Sequence, residues 1–240
     1  METLLEMFSR YGAQLGEGFW LTVKLLVVST IGGFALAIPL ALALDSRRFG
    51  LRLPAQLYSL LFRGSPMFVQ LFLIYYGLPA LLREFYGSLP LLRASPWWVL
   101  VSSPFLLASL AFILNLAAYM AEDLRGGLRT VTQGEKEAAI ACGMKKRTLI
   151  WRILLPLALR RSAPALFNHV IISLKATALV STIAMRDLMG AGSLAFNQTY
   201  NLGVYLVLGV IYLLLVFALS KLFSLIERRY AIPGHSGGSP

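Results

Sequence analysis

The sequence predicts an all-α, polytopic membrane protein with about five transmembrane helices, and three observations carry that prediction. Hydrophobic residues make up 58% of the chain and charged residues only 14%, a balance outside the range of soluble domains. The apolar residues gather into five segments, each able to supply the roughly 20 helical residues that a hydrocarbon core requires. The runs are also unbroken well beyond the roughly 10 alternating residues of a barrel strand, which excludes a transmembrane β-barrel.

The first span is expected over Phe19 to Leu44. It reads as a retained span and not as a cleaved leader, because Glu2, Glu6 and Glu17 stand where a signal peptide carries basic residues. Lys24 lies near the end of this run, where its long stem lets the ammonium reach the interface. The second segment, Leu53 to Leu82, is broken by Arg63-Gly64-Ser65-Pro66, since Gly and Pro interrupt a helix and release backbone groups that need partners. Trp97 to Ala121, Ser162 to Met185 and Leu202 to Ile226 supply the remaining three spans. Residues 1–230 therefore form one membrane domain, and residues 231–240, rich in Gly, Ser and Pro, read as a disordered tail.

Between the third and fourth spans lies a basic segment with its own signals. Thr132-Gln133-Gly134-Glu135 is a capping box that opens a short helix, and Gly143 is free to take the left-handed conformation that closes it. Glu135, Ala138, Ala139 and Cys142 then recur at helical spacing as one stripe of small side chains beside a carboxylate, with Cys142 serving for packing. Leu155-Pro156 suits the first turn of the next helix and is expected to redirect the chain toward the membrane.

The net charge of +11 invites a nucleic-acid reading, but the distribution of cations argues against one. With an odd number of spans and the N-terminus outside, the inner loops hold fourteen Lys and Arg, among them Arg47, Arg125, Lys145, Arg152 and Arg228. The outer side holds four, Arg10, Arg83, Arg93 and Arg186. That asymmetry follows the positive-inside rule and places the 132–156 segment in the cytoplasm, with its cations facing anionic lipid.

Polar groups at membrane depth are the remaining site candidates, because each costs about 2.5–3.5 kcal/mol on insertion scales when charged. Arg63 and Glu122 are expected either to pair or to sit separately at the water interface. Asn115 suits an interhelical hydrogen bond, and His169 reads as a satisfied packing residue. Lys175 either faces a translocation path or pairs with a carboxylate or helix end within the bundle. Ser65, Gln70 and Thr177 complete the set of pathway or structural candidates. No catalytic residue emerges: a His-based dyad has only His169 to draw on outside the tail. No Cys or His cluster has metal-ligand spacing, and the single Cys142 has no intrachain disulfide partner. A GxxxxGK[ST] phosphate loop is missing, so no nucleotide cofactor is expected on this chain. No internal repeat is evident, which weighs against a secondary transporter.

Glu137-Ala138-Ala139, Gly143, Ile153 and Leu155-Pro156 together resemble the EAA signature loop of ABC importer permeases. Arg63-Gly64-Ser65-Pro66 with Val69-Gln70 and Tyr75-Tyr76-Gly77 resembles the RGTP, VQ and YYG stretch of the polar amino-acid branch of that family, Ser65 standing for the usual Thr. Ala118-Tyr119 through Glu122 with Arg125-Gly126, and Ser173-Leu174-Lys175-Ala176-Thr177, resemble two further blocks. The resemblance implies a type I ABC importer permease fold of the MetI-like kind, in a bacterial cytoplasmic membrane with the C-terminus inside. It implies a cytoplasmic coupling loop at about 122–161 that docks on a partner ATPase dimer, which would hold the ATP and Mg. It also implies a second permease subunit, identical or similar, and a periplasmic or extracellular solute-binding protein. Expected substrates are polar amino acids of the histidine, lysine, arginine or opine kind, with glutamine or glutamate as the alternative and a secondary transporter a more distant one.

Overall fold

The computed structural model describes residues 4–230, and among them every regular element is helical. The expected tail at 231–240 lies outside the described residues. Five helical stretches are long and apolar enough to cross a membrane: Arg10–Leu44, Met67–Phe85, Pro104–Arg129, Lys146–Thr182 and Gly203–Arg229. The first belongs to α1 (Leu4–Leu44), which carries Pro39 in its interior.

The second segment differs from the sequence expectation. Its N-terminal part is a separate helix, α2 (Phe49–Gly64), and the candidate span begins only after the Ser65-Pro66 break. It is assembled from α3 (Met67–Phe72), a widened π turn (Leu73–Gly77) and α4 (Leu78–Phe85). The π turn ends two residues before Pro79, and a second one, Ile150–Leu154, ends two residues before Pro156. Proline has no N–H and its ring crowds the carbonyl four residues back; a widened turn takes up that conflict without breaking the rod.

The third span also starts later than expected. Trp98–Val101 forms a short helix of its own, α6, preceded by α5 (Leu89–Ala94). The span is α7 (Pro104–Arg129), with Pro104 in its first turn and the Ser103 hydroxyl accepting from the Leu106 N–H at 3.4 Å. Helix α7 is the hub: 56% of its most apolar window is buried, against 6% for the last helix, α12 (Gly203–Tyr230). Close crossings depend on glycine. A Cβ on Gly127 of α7 would stand 2.6 Å from the carbonyl oxygen of Ala158, so this position lets α7 meet α10 (Leu155–Ala176) backbone to backbone.

Helix α10 does not begin with a redirection at Leu155-Pro156, as the sequence suggested. The π turn joins it smoothly to α9 (Lys146–Leu149), and the chain instead turns at Cys142–Lys145, where Gly143 has φ +75°. At its far end α10 tightens into a 3-10 segment, Thr177–Thr182. A twelve-residue helix, α11 (Leu188–Thr199), then packs against α1 and α12.

Candidate functional site

The short helix α8 (Gln133–Ala141) is built as its sequence signals require. The Thr132 hydroxyl accepts from the Glu135 N–H at 3.3 Å, and the Glu135 carboxylate accepts from the Thr132 N–H at 2.7 Å. That backbone N–H, then the Thr132 hydroxyl and Arg161, hold the Glu135 carboxyl below its ordinary value against the effect of desolvation. Arg161 of α10 donates to Glu135 at 3.3 Å and to Thr130 at 3.3 Å, tying α8 to the root of the fourth span. The left-handed Gly143 closes the helix, and the Met144 N–H returns to the Ala139 carbonyl at 3.2 Å.

The predicted small-residue stripe is corrected by the burial pattern. Ala139 is buried, while Glu137, Ala138, Ile140, Ala141 and Cys142 are exposed. Cys142 is thus a free, exposed thiol and not a packing residue. Ile140 is 60% exposed, a large apolar side chain on an otherwise polar projection, and the sequence pattern gave it no weight. Gln133 donates to Glu137 at 2.9 Å across one turn. Behind α8, Ile153 lies in the π turn, and Leu155 is buried with Pro156 beside it in the first turn of α10.

A charged lattice lies on the membrane side of this projection. Arg63 of α2 and Glu122 of α7 pair at 3.4 Å, the first of the two alternatives the sequence left open. Glu122 also meets Arg125 at 3.0 Å and accepts from the Ser59 hydroxyl at 3.0 Å, so one carboxylate serves two guanidiniums and a hydroxyl. Arg63 lies over the Tyr119 ring at 5.6 Å, and Tyr119 packs on His169. His169 has Asp123 at 2.9 Å, an ion pair whenever the imidazole is protonated.

The broken second segment is closed by amides. Gln70, buried, donates to the carbonyls of Phe62 at 2.8 Å and Ser65 at 3.0 Å and to the Ser65 hydroxyl at 2.8 Å. Asn115 donates to Gln70 at 2.8 Å and to Phe62 at 3.2 Å. These are the backbone groups that Ser65-Pro66 releases, so Gln70 and Asn115 hold the break between α2 and α3.

The fourth-span candidates separate. Thr177 is buried and donates to the Leu174 carbonyl at 2.6 Å, a structural role. Lys175 has no carboxylate within ion-pair distance among the described residues; it is exposed in the last turn of α10, where its charge suits the helix end. With Ala178, Tyr205 and Tyr212 it lines a cavity of about 330 Å³. A second, more polar cavity of about 480 Å³ is lined by Ser181, Arg186, Ser193 and Asn197.

Asp187 was missed by the sequence reading. It is fully buried, accepts from the Gly190 N–H at 3.0 Å and the Met189 N–H at 3.3 Å, and so caps α11. Burial pushes its carboxyl up to about 6. Helix α11 is seated on α1 by the Leu188 N–H, which donates to Thr22 at 3.1 Å, and by Gly18, where a Cβ would meet the Asp187 carbonyl oxygen at 2.7 Å. Its signal was an N-cap residue before a helix too short and too small-residued to register as a span.

Residues 19–232 match the family described as the binding-protein-dependent transport system inner membrane component. The chain belongs to this family. It is 41% identical over 211 residues to an octopine transport system permease protein of Rhizobium meliloti, covering 88% of this chain and 83% of that protein. It is 38% identical over 173 residues to an arginine ABC transporter permease protein of Escherichia coli strain K12, covering 72% and 74%. Among solved structures, an amino acid ABC transporter crystallised with histidines superposes with a TM-score of 0.78 at 30% identity, covering 95% of this chain and all of that one. The inward-facing MetNI methionine ABC transporter superposes with a TM-score of 0.73 at 21% identity, covering 91% and 97%, and shares the fold. The polytopic all-α permease fold and the importer family expected from the sequence are both found.

Proposed function

We propose that this permease carries basic amino acids or opines inward as the transmembrane half of an ATP-driven importer, and that α8 receives the force. The observation that carries this reading is the exposed ridge of Glu137, Ala138 and Ile140 on a helix fixed at both ends and bonded through Glu135 and Arg161 to the fourth span. A helix that is pinned and yet offers an apolar knob beside a carboxylate suits a groove on a partner protein. Displacement of such a helix is passed to α10 through Arg161 and does not dissipate in a loose loop.

The partners in this reading are an ATPase dimer on the cytoplasmic side, a second permease subunit and a solute-binding protein outside. The N-terminus is outside and the C-terminus in the cytoplasm, an orientation that the cation distribution supports. ATP and Mg stay on the ATPase. The substrate class rests on the octopine, nopaline and arginine systems to which the relatives belong, at 36–41% identity. Arg63, Ser65, Gln70, Asn115, Glu122, His169 and Thr177 hold the bundle in shape, while Lys175 faces the path.

Reconstitution tests this directly. Proteoliposomes with ATPase and binding protein should accumulate labelled arginine or octopine only when ATP is supplied, and Glu137→Lys should abolish uptake while leaving membrane insertion intact. Flux through the permease alone, without ATPase or binding protein, would contradict the importer reading.

A further inference from the structure

Residues 86–103 join the ends of the second and third candidate spans, at the membrane face opposite α8. This connector does not have the composition of a watery loop. Among its eighteen residues, Arg93 is the only charged one, and Leu89, Leu91, Trp97 and Val99 all point outward. Val99 is 67% exposed and Leu91 59%. One residue faces the other way: Leu92 is buried. The Ser88 hydroxyl accepts from the Leu91 N–H at 3.4 Å and Ser95 donates to the Leu92 carbonyl at 2.7 Å, so the segment is ordered as short helices and not extended.

We propose that this connector lies in the membrane plane, its outward face sunk into the headgroup and acyl boundary of the leaflet opposite α8, with phospholipid as its partner. Three features favour lipid over a protein occupant. The exposed apolar residues of the connector follow directly along the chain on those of α4, where Leu81 and Phe85 are also exposed. Trp97 and Trp98 fall just before the third candidate span, the place along the chain where indoles concentrate in membrane proteins, and Arg93 lies over the Trp98 ring at 5.4 Å, a cation able to meet a lipid phosphate. A site for a soluble protein would carry a polar, charged rim, and this connector offers a single charge. Short amphipathic helices with Trp and Leu on one face and a basic residue at the edge bind interfaces in this way. The seating depends on the spans alone and not on the identity of the solute.

The test uses the assembled transporter in vesicles. With Trp20→Phe and Trp151→Phe, Trp97 and Trp98 become the only indoles of this chain, and the partner subunits are used with their own Trp replaced by Phe. In lipid brominated near the headgroup end of the chains, their emission should fall by about half, and aqueous iodide should leave it nearly unchanged, as for residues at the interfacial depth. Strong iodide quenching without bromine quenching would overturn the proposal, placing the connector in water. Bromine quenching seen only in isolated permease and lost in the assembled transporter would overturn it in favour of a protein partner. A second probe is independent of the indoles: in a Cys142→Ser chain, Val99→Cys should resist a membrane-impermeant maleimide added to the connector's side. Rapid labelling there would be equally damaging.

Discussion

At the residue scale, one carboxylate organises the charged lattice. Glu122 faces Arg63 at 3.4 Å and Arg125 at 3.0 Å, and the Arg63 side chain is 42% exposed, so water screens part of the attraction. Glu122→Gln should therefore cost only about 1 kcal/mol of stability, with Arg63→Gln costing less and the double variant less than the sum. Thermal unfolding in detergent measures all three, and strict additivity would mean that the pair is not coupled. Asp187 sets a different kind of test. Its folded carboxyl holds a proton up to about 6, above its ordinary 3.8, so the group adds stability at low pH that is lost as the pH rises across that interval. Asp187→Asn keeps an N-cap side chain on α11 and should flatten the stability profile between those two pH values. An unchanged profile would assign the pH dependence elsewhere.

At the element scale, glycine decides both the close crossing of α7 with α10 and the end of α8. A Cβ at Gly127 would meet the Ala158 carbonyl, so Gly127→Val should force α7 and α10 apart and cost about 1–3 kcal/mol, read as a fall in melting temperature. Gly143 has open space around it, yet at φ +75° a β-branched side chain is strained. Gly143→Val should leave expression near normal and weaken stimulation of the ATPase, a separation that ATPase assays with and without permease detect. The five spans were legible in the sequence because about 20 apolar residues leave little choice in a bilayer. The capping box and the left-handed Gly143 were legible because their chemistry is local. The start of the second span was not, since Ser65-Pro66 marks a break without saying which side of it enters the membrane. The turn before α9 was misplaced onto Leu155-Pro156 because a π turn lets Pro156 continue a helix that ordinary α geometry would end. Ala139 falls in one stripe with Ala138 and Cys142 by spacing, yet it alone of the three is buried, because helical spacing groups residues into faces without saying which face meets the protein.

At the scale of the whole molecule, the fold resolves into a buried hub and exposed apolar flanks. Helix α7 carries the charged lattice at the end nearest α8, while α12 is almost wholly peripheral. The Arg63–Glu122 ion pair and the His169–Asp123 contact bind the second, third and fourth helical segments into one unit beside α8. On the proposed function, that unity lets a push on a nine-residue helix move spans and not merely a loop. The protein supplies its own probe for this claim, because its one cysteine, Cys142, is exposed at the end of α8. Labelling Cys142 with a membrane-impermeant maleimide, in vesicles of each orientation and with or without the partner ATPase, is the most direct test. The account predicts reaction only from the cytoplasmic side and strong protection once the ATPase is bound; labelling from the outer side, or unchanged labelling in the assembled transporter, would contradict it.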